Sequence, residues 1–290
     1  MGDSVSAPSL RVGLVGHPLG HSVSPDMLDA AFEEAGLPYR YELLDRAAED
    51  LPLLLAEMRA GGWLGCNVTV PHKTRIVPLL DELRGEAEML GAVNTVQVEG
   101  ERLIGYNTDV YGFAHEMAAH NELHTPGPAV VLGAGGAARA VIWTLAQHGW
   151  KVDLLARRSE QAAFLVTGLP AHLDIRPGSL DAHTATERLK GARLLVNCTP
   201  AGMWPHEGED PLPPGVPLPP DLFVYDLIYR PSETRLLARA AAAGCRTRSG
   251  LPMLVAQGAA AFTIWTGRDA PRHIMREAAE RAVLSWEGEA

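Results

Sequence analysis

Apolar and polar positions along this chain fall into short blocks that switch between strand-like runs and helical spacing, and the rhythm predicts a succession of βα units. Residues 10–15 read as a strand, 25–35 as a helix with Ser24 as N-cap and Pro25 at its first position, and 39–44 as a second strand. A helix over 51–59, a strand over 65–70 and a helix over 79–90 continue the pattern. Residues 93–98 and 102–105 form a predicted hairpin about Glu99-Gly100-Glu101. Further on, 128–132 reads as a buried strand, 137–147 as a helix closed by His148-Gly149, and 151–156 as the next strand. The proline-rich segment 205–220 reads as an exposed loop, and no repeat appears at solenoid periods.

The junction of the strand at 128–132 with its helix carries the most specific local signal, Val130-Val131-Leu132-Gly133-Ala134-Gly135-Gly136-Ala137-Ala138. Gly133 allows a tight turn, Gly135 lets a ligand pyrophosphate approach the backbone, and Ala138 stands where helix and strand pack closely. The free N–H groups and positive dipole end of the helix suit phosphate. The following strand ends in Ala156-Arg157-Arg158-Ser159, where an NAD site carries Asp or Glu to accept from the ribose 2′-hydroxyl. Two guanidiniums and no carboxylate suit a 2′-phosphate, so the pattern favours NADP over NAD.

Composition narrows the class. With 290 residues, 47% of them hydrophobic, the chain can bury a core large enough for two domains. A formal charge of −10 argues against a nucleic-acid partner, which calls for a basic face. No apolar run approaches the roughly 20 residues of a membrane helix. Cys66, Cys198 and Cys245 are odd in number and lack metal-ligand spacing, so the expectation is no metal, packed thiols and a reducing, cytoplasmic location.

About 125 residues precede the strand at 128–132, and their polar residues gather where the predicted strands end, which is where open α/β sheets bind ligands. His21-Ser22-Val23-Ser24-Pro25 offers two hydroxyls to a polyol or carboxylate. In Asn67-Val68-Thr69-Val70-Pro71-His72-Lys73 the strand period puts Asn67 and Thr69 on one face, with the cationic Lys73 just past the strand. Gly91-Ala92-Val93-Asn94-Thr95 and Asn107-Thr108-Asp109 add two polar runs flanked by turns.

Taken with Asn197-Cys198-Thr199-Pro200-Ala201-Gly202-Met203 and Gly250-Leu251-Pro252-Met253-Leu254-Val255-Ala256-Gln257, these ordered motifs resemble the shikimate dehydrogenase family over nearly the whole chain. The resemblance implies reversible, NADP-dependent reduction of 3-dehydroshikimate to shikimate, a step of aromatic amino-acid biosynthesis through chorismate. It implies an α/β chain in two domains: an N-terminal substrate-binding and catalytic domain over 1–110, a Rossmann-type NADP-binding domain over 111–249, and C-terminal helices over 250–290 that return to the first domain. The reactive cleft is then expected between the domains, in a monomer or homodimer whose partner is a small-molecule substrate.

Residue by residue, the resemblance gives the substrate carboxylate to Ser22 and Ser24 and the ring to Thr69, Asn94, Asp109 and Gln257, with Asn67 beside Thr69 and Tyr229 at a further substrate position. Lys73 and Asp109 match the catalytic pair. The phosphate turn comprises Gly133, Ala134, Gly135, Gly136 and Ala137, and the ribose-phosphate clamp Ala156, Arg157 and Arg158. Thr199, Met203, Leu227 and Gly250 fall toward the nicotinamide half. The chain departs from the family in having Met27-Leu28-Asp29 after Ser24-Pro25, Ala156 where the clamp begins with Asn, and Pro252 at a usually small position. Two other readings remain: a quinate/shikimate dehydrogenase using NAD, disfavoured by the missing acid after Ala156, and a non-catalytic shikimate-binding sensor, expected to lack Lys73 or Asp109.

Overall fold

The computed structural model describes residues 10–19 and 22–287. Its strands and helices begin with β1 (Arg11–Gly16), α1 (Ser24–Glu34), β2 (Arg40–Asp45), α2 (Leu51–Arg59), β3 (Trp63–Val68), β4 (Glu82–Leu83), α3 (Glu86–Leu90), β5 (Thr95–Glu99) and β6 (Arg102–Tyr106). They continue with α4 (Thr108–Ala119), β7 (Pro128–Leu132), α5 (Gly136–Gln147), β8 (Lys151–Ala156), α6 (Ser159–Thr167), β9 (Ile175–Ser179), α7 (Ala182–Leu189) and β10 (Leu194–Asn197). Last come β11 (Phe223–Asp226), α8 (Arg235–Ala242), β12 (Arg246–Arg248), α9 (Leu251–Thr266) and α10 (Arg272–Glu287). The chain divides into two units, the residues up to Thr108 with Gln257–Ala282, and Asp109–Ala256 with the residues from Val283 on.

In the first unit β1 is buried at every position but its first, as a strand covered on both faces must be, and it pairs in parallel with β2 and β3. The sheet then turns antiparallel through β5 and β6, joined by a tight turn in which Gly100 holds φ +63, and ends in β4. The order is β2-β1-β3-β5-β6-β4. Leu51, Leu54, Leu55 and Met58, spaced on one face of α2, pack with Val15, Val68 and Val96 in the core of this unit. The apolar helix α9 belongs to the same unit from Gln257 on. Phe262 stacks on Phe32 with centroids 5.5 Å apart, and Trp265 donates from Nε1 to the Val96 carbonyl at 2.9 Å.

The second unit carries an all-parallel sheet of order β12-β11-β10-β7-β8-β9. From the far edge this is 3-2-1-4-5-6 in chain order, the doubly wound dinucleotide-binding topology, with its switch point between β7 and β10. Its central strands are buried because helices cover both faces; β7 and β10 have every residue buried except Pro128, and the polar Asn197 stands only at the end of β10.

Three expectations from the sequence are corrected. Ser24 is the first residue of α1, not its cap; Val23 takes the cap position, and the Ser24 hydroxyl is engaged with Ser22 instead of the helix end. No helix runs over 79–90: a 3-10 turn at Val77–Leu79, strand β4 and Gly85 at φ +60 leave only α3 as helix. There Glu82 is drawn into ion pairs with Arg84 and Arg102, and Asp81 into one with Arg59. The segment 205–220 is irregular, as prolines dictate, yet it is not wholly exposed, since Leu212 and Val216 are 3% and 4% exposed within the core of the second unit.

Candidate active site

The first unit gathers polar side chains where β1 and β3 end, where α4 begins and at Gln257 in the middle of α9. Thr69 leaves β3 with its N–H donating to the Val15 carbonyl at 2.9 Å, and a side chain on Gly16 would meet Thr69 Cγ2 at 2.5 Å. Only glycine at 16 lets that strand end and the Thr69 loop close on each other. Pro71 then ends the extended segment. The following turn is anchored by His72, which is fully buried and donates from Nε2 to the Arg46 carbonyl at 2.7 Å. The next residue, Lys73, is half-buried, and its carbonyl accepts from the Val93 N–H at 2.7 Å. This bond ties the lysine's backbone to the residue before Asn94.

Asn94, 2% exposed, is the hub of a buried amide and hydroxyl network. Its Nδ2 donates to Thr108 Oγ1 at 2.9 Å and to Gln257 Oε1 at 3.2 Å, and its Oδ1 accepts from the Thr108 N–H at 2.7 Å. Thr108 and Gln257 are themselves linked at 3.3 Å. Residues 94, 108 and 257 thus converge from a loop and two helices, and no local pattern announces that convergence. Asn67 lies beneath them: Tyr41 donates to its Oδ1 at 2.7 Å, and its Nδ2 donates to the Asn94 carbonyl and to Thr95 Oγ1. With both ends of its amide engaged, Asn67 holds Asn94 in place. Ser22 donates to Ser24 Oγ at 3.0 Å and accepts from the Ser24 N–H at 3.2 Å, so the two hydroxyls sit together at the start of α1. His21, the head of that motif, lies outside the described residues.

Asp109 and Tyr229 belong to the second unit. Asp109, 5% exposed, occupies the first turn of α4 directly after Thr108. Tyr229 is half-buried in the loop that follows β11.

The glycine turn of the second unit has the form that a dinucleotide requires. Gly133 holds φ +98, and a Cβ there would lie 2.9 Å from Thr199 Cγ2 and 3.2 Å from the Cys198 carbonyl oxygen. Gly135 is the N-cap of α5 and is exposed, with open space where a side chain would stand. The N–H groups of the first turn, at Gly136 and Ala137, have no partner within the helix and suit phosphate oxygens. A cavity of about 260 Å3 beside the turn is lined by Ala134, Arg139, Gln161 and Phe164, among others. Arg157 and Arg158 are exposed at the end of β8, next to the buried Ala156, with no carboxylate engaging them among the described residues. These residues fit NADP: a backbone cradle for the pyrophosphate and two guanidiniums for the 2′-phosphate.

Thr199 sits at the end of β10, its N–H and Oγ1 both donating to Asn197 Oδ1 at 3.0 and 2.7 Å, and Met203 follows in the same loop, exposed. A Cβ on Gly250 would lie 1.9 Å from the Leu227 carbonyl oxygen, so the backbone at 250 rests directly on the Leu227 loop. Thr95, Thr108 and Asn197, which stand in the motifs without an expected role, and Asp226, which stands in none of them, organise these loops. A polar residue at the end of a buried strand was the available signal for the last two. Among the described residues no group of His, Cys, Asp and Glu is placed to hold a metal ion, and no helix is long and apolar enough to cross a membrane.

Comparison with known proteins locates the chain among its relatives. Residues 14–96 match the family model described as the shikimate dehydrogenase substrate binding domain, and 250–280 that of the shikimate 5′-dehydrogenase C-terminal domain. A shikimate dehydrogenase (NADP(+)) of Moorella thermoacetica is 45% identical over 290 aligned residues, covering 98% of this chain and 97% of the relative. The solved structure of shikimate 5-dehydrogenase from Thermus thermophilus in complex with NADP(H) and shikimate is 41% identical, with a TM-score of 0.82 over 94% of this chain and 99% of that one. Quinate dehydrogenase from Corynebacterium glutamicum in complex with NAD is similar at 33% identity, with a TM-score of 0.81 over 93% and 98%.

Proposed function

The chain belongs to the shikimate dehydrogenase family, and from that premise we propose that it catalyses the reversible, NADP-dependent reduction of 3-dehydroshikimate to shikimate. The observation that carries the reading is the buried Asn94, Thr108 and Gln257 network with Lys73 tied to its edge, an arrangement suited to ring hydroxyls rather than to an apolar ligand. Ser22 and Ser24 bind the substrate carboxylate. Thr69, Asn94 and Gln257 donate to and accept from the ring hydroxyls, Tyr229 contributes a further hydroxyl, and Asn67 keeps Asn94 in register.

Bound NADPH supplies the hydride. As the substrate carbonyl becomes an alkoxide, the Lys73 ammonium stabilises the negative oxygen and donates a proton to it. Asp109 acts with Lys73 as one acid/base unit. In the reverse direction the same pair takes the hydroxyl proton. Gly133, Ala134, Gly135, Gly136 and Ala137 hold the pyrophosphate through backbone N–H groups, and Arg157 and Arg158, after Ala156, hold the 2′-phosphate. Thr199, Met203, Leu227 and Gly250 line the nicotinamide end. That Cys66, Cys198 and Cys245 form no disulfide supports a reducing, cytoplasmic setting, in which the enzyme works as a monomer or homodimer.

Steady-state rates for shikimate and quinate, each with NADP and with NAD, test the proposal. The expected order has shikimate with NADP first. A preference for quinate with NAD replaces this reading with that of the quinate dehydrogenase relatives, and absence of turnover with all four pairs replaces it with a binding role.

A further inference from the structure

Of the buried carboxylates that the chemistry above does not use, Glu116, Glu122 and Asp153 each face an arginine, whereas Asp226 is held by neutral groups. Asp226, the last residue of β11, is 0% exposed, and three neutral donors hold it. Asn197 Nδ2 donates to its Oδ1 at 2.9 Å, the Ile228 N–H donates to the same oxygen at 3.1 Å, and Thr234 Oγ1 donates to Oδ2 at 2.7 Å. Burial pushes the carboxyl up to about 6, and nearby Asp210 adds to the rise. A charge kept this far from water is expensive, so a carboxylate here calls for a reason beyond packing.

That reason lies in what the bonds reach. Asn197 and Asp226 are register partners at the ends of the adjacent strands β10 and β11. Asn197 Oδ1 accepts from both the N–H and the hydroxyl of Thr199, and the Asn197 carbonyl accepts from the Leu227 N–H at 3.1 Å. Gly250 in turn rests on Leu227 and donates its N–H to the Ile228 carbonyl at 2.9 Å. Both loops that leave the carboxyl ends of these strands are therefore set by one side-chain pair, with Thr234 fixing the second oxygen of Asp226.

We propose that Asn197, Asp226 and Thr234 form a positioning unit for the nicotinamide end of the dinucleotide, acting through the backbone of Thr199, Leu227 and Gly250 rather than by touching the cofactor. The inference rests on the NADP-dependent reading above. It predicts a selective defect: contacts to the adenosine half stay intact while those to the nicotinamide half lose their register. Because hydrogen-bonded partners act together, the defects of Asn197 and Asp226 should not add.

Calorimetric titration of the full chain with NADP+ and with adenosine 2′,5′-bisphosphate, which lacks the nicotinamide half, separates the two ends. Asp226→Ala is expected to weaken NADP+ about tenfold and leave the bisphosphate within twofold of the parent chain. The Asn197→Ala, Asp226→Ala double variant should bind NADP+ no more weakly than the worse single one. Asp226→Asn, which keeps one oxygen for Asn197 and Ile228 and offers an N–H to Thr234, should recover NADP+ affinity to within about threefold. Equal losses of both ligands, an NADP+ affinity within twofold of the parent in Asp226→Ala, or additive single defects would each overturn the proposal. Should Asp226→Ala fail to fold, Thr234→Val and Asn197→Ala are read by the same ratio of the two ligands. The ratio needs no turnover of shikimate, so loss of the substrate assignment and loss of this positioning role are separate results.

Discussion

The two units make their candidate sites by different means. The second works largely with backbone: a glycine turn, the first N–H groups of α5, and strand ends on an all-parallel sheet. In the first unit side chains dominate, drawn from the start of α1, from β3 and the loop after it, from the loop before β5, from the start of α4 and from the middle of α9, and locked by hydrogen bonds between residues up to 163 positions apart. A backbone site needs the right residues in one short stretch, because the geometry is local. A side-chain site needs several distant segments to arrive together, so its parts look ordinary one by one.

Substitutions that strike one unit while sparing the other give that contrast its sharpest tests. The largest effect is expected from Lys73→Ala, which should cut kcat by on the order of a hundredfold or more with a much smaller change in shikimate KM, as for a lost acid/base group. An unchanged kcat removes Lys73 from the chemistry. Gln257→Ala leaves Asn94 and Thr108 short of a buried partner and should raise shikimate KM on the order of twentyfold, while NADP+ affinity by calorimetry stays put. Gly133→Ala reverses the pattern. With φ +98 and Thr199 Cγ2 in the way, it should weaken NADP+ about tenfold and leave shikimate binding unaltered.

A smaller effect tests the charge at the end of β8: Arg157→Ala should raise KM for NADP about fivefold and that for NAD hardly at all. Equal changes for the two cofactors count against the clamp. Smaller again is a pH effect of Asp226. Its carboxyl is raised from 3.8 to about 6 in the folded chain, so the folded state binds the extra proton. The penalty of the buried charge is present above pH 6 and is relieved as pH falls toward 4. Between pH 6 and 5 this group adds about 1 kcal/mol of stability. The difference in unfolding free energy between the parent chain and Asp226→Asn, from urea titrations, should change by that amount over this interval, and a difference independent of pH contradicts the assignment.

What could be read in advance follows the same division. The elements β7, α5 and β8 were placed within a residue, because long apolar runs and a glycine-marked turn leave one solution. The helix expected over 79–90 failed because Gly85 and the pull of Arg59, Arg84 and Arg102 on the neighbouring acids outweigh helical spacing over so short a stretch. Ser24 failed as a cap for a related reason, its hydroxyl being taken by Ser22 rather than by the helix end. Within the candidate site, Lys73, Asn94 and Gln257 are legible only through motifs that match a family. Their neighbours Thr95 and Thr108 carry the network between them and are not legible in the sequence, since a threonine beside a turn has many commonplace uses.

By itself the sequence determined the βα rhythm, the dinucleotide turn and the basic strand end that favours a 2′-phosphate, all of which depend on residues within about 30 positions of one another. Only the tertiary structure decided which polar residues come together and which of them brace the others. Asn67 buttresses Asn94, and Asp226 governs two loops through Asn197. The reason is physical. Local periodicity records which face of an element avoids water, whereas a buried hydrogen bond is specified only when both partners, often from distant segments, have lost water together.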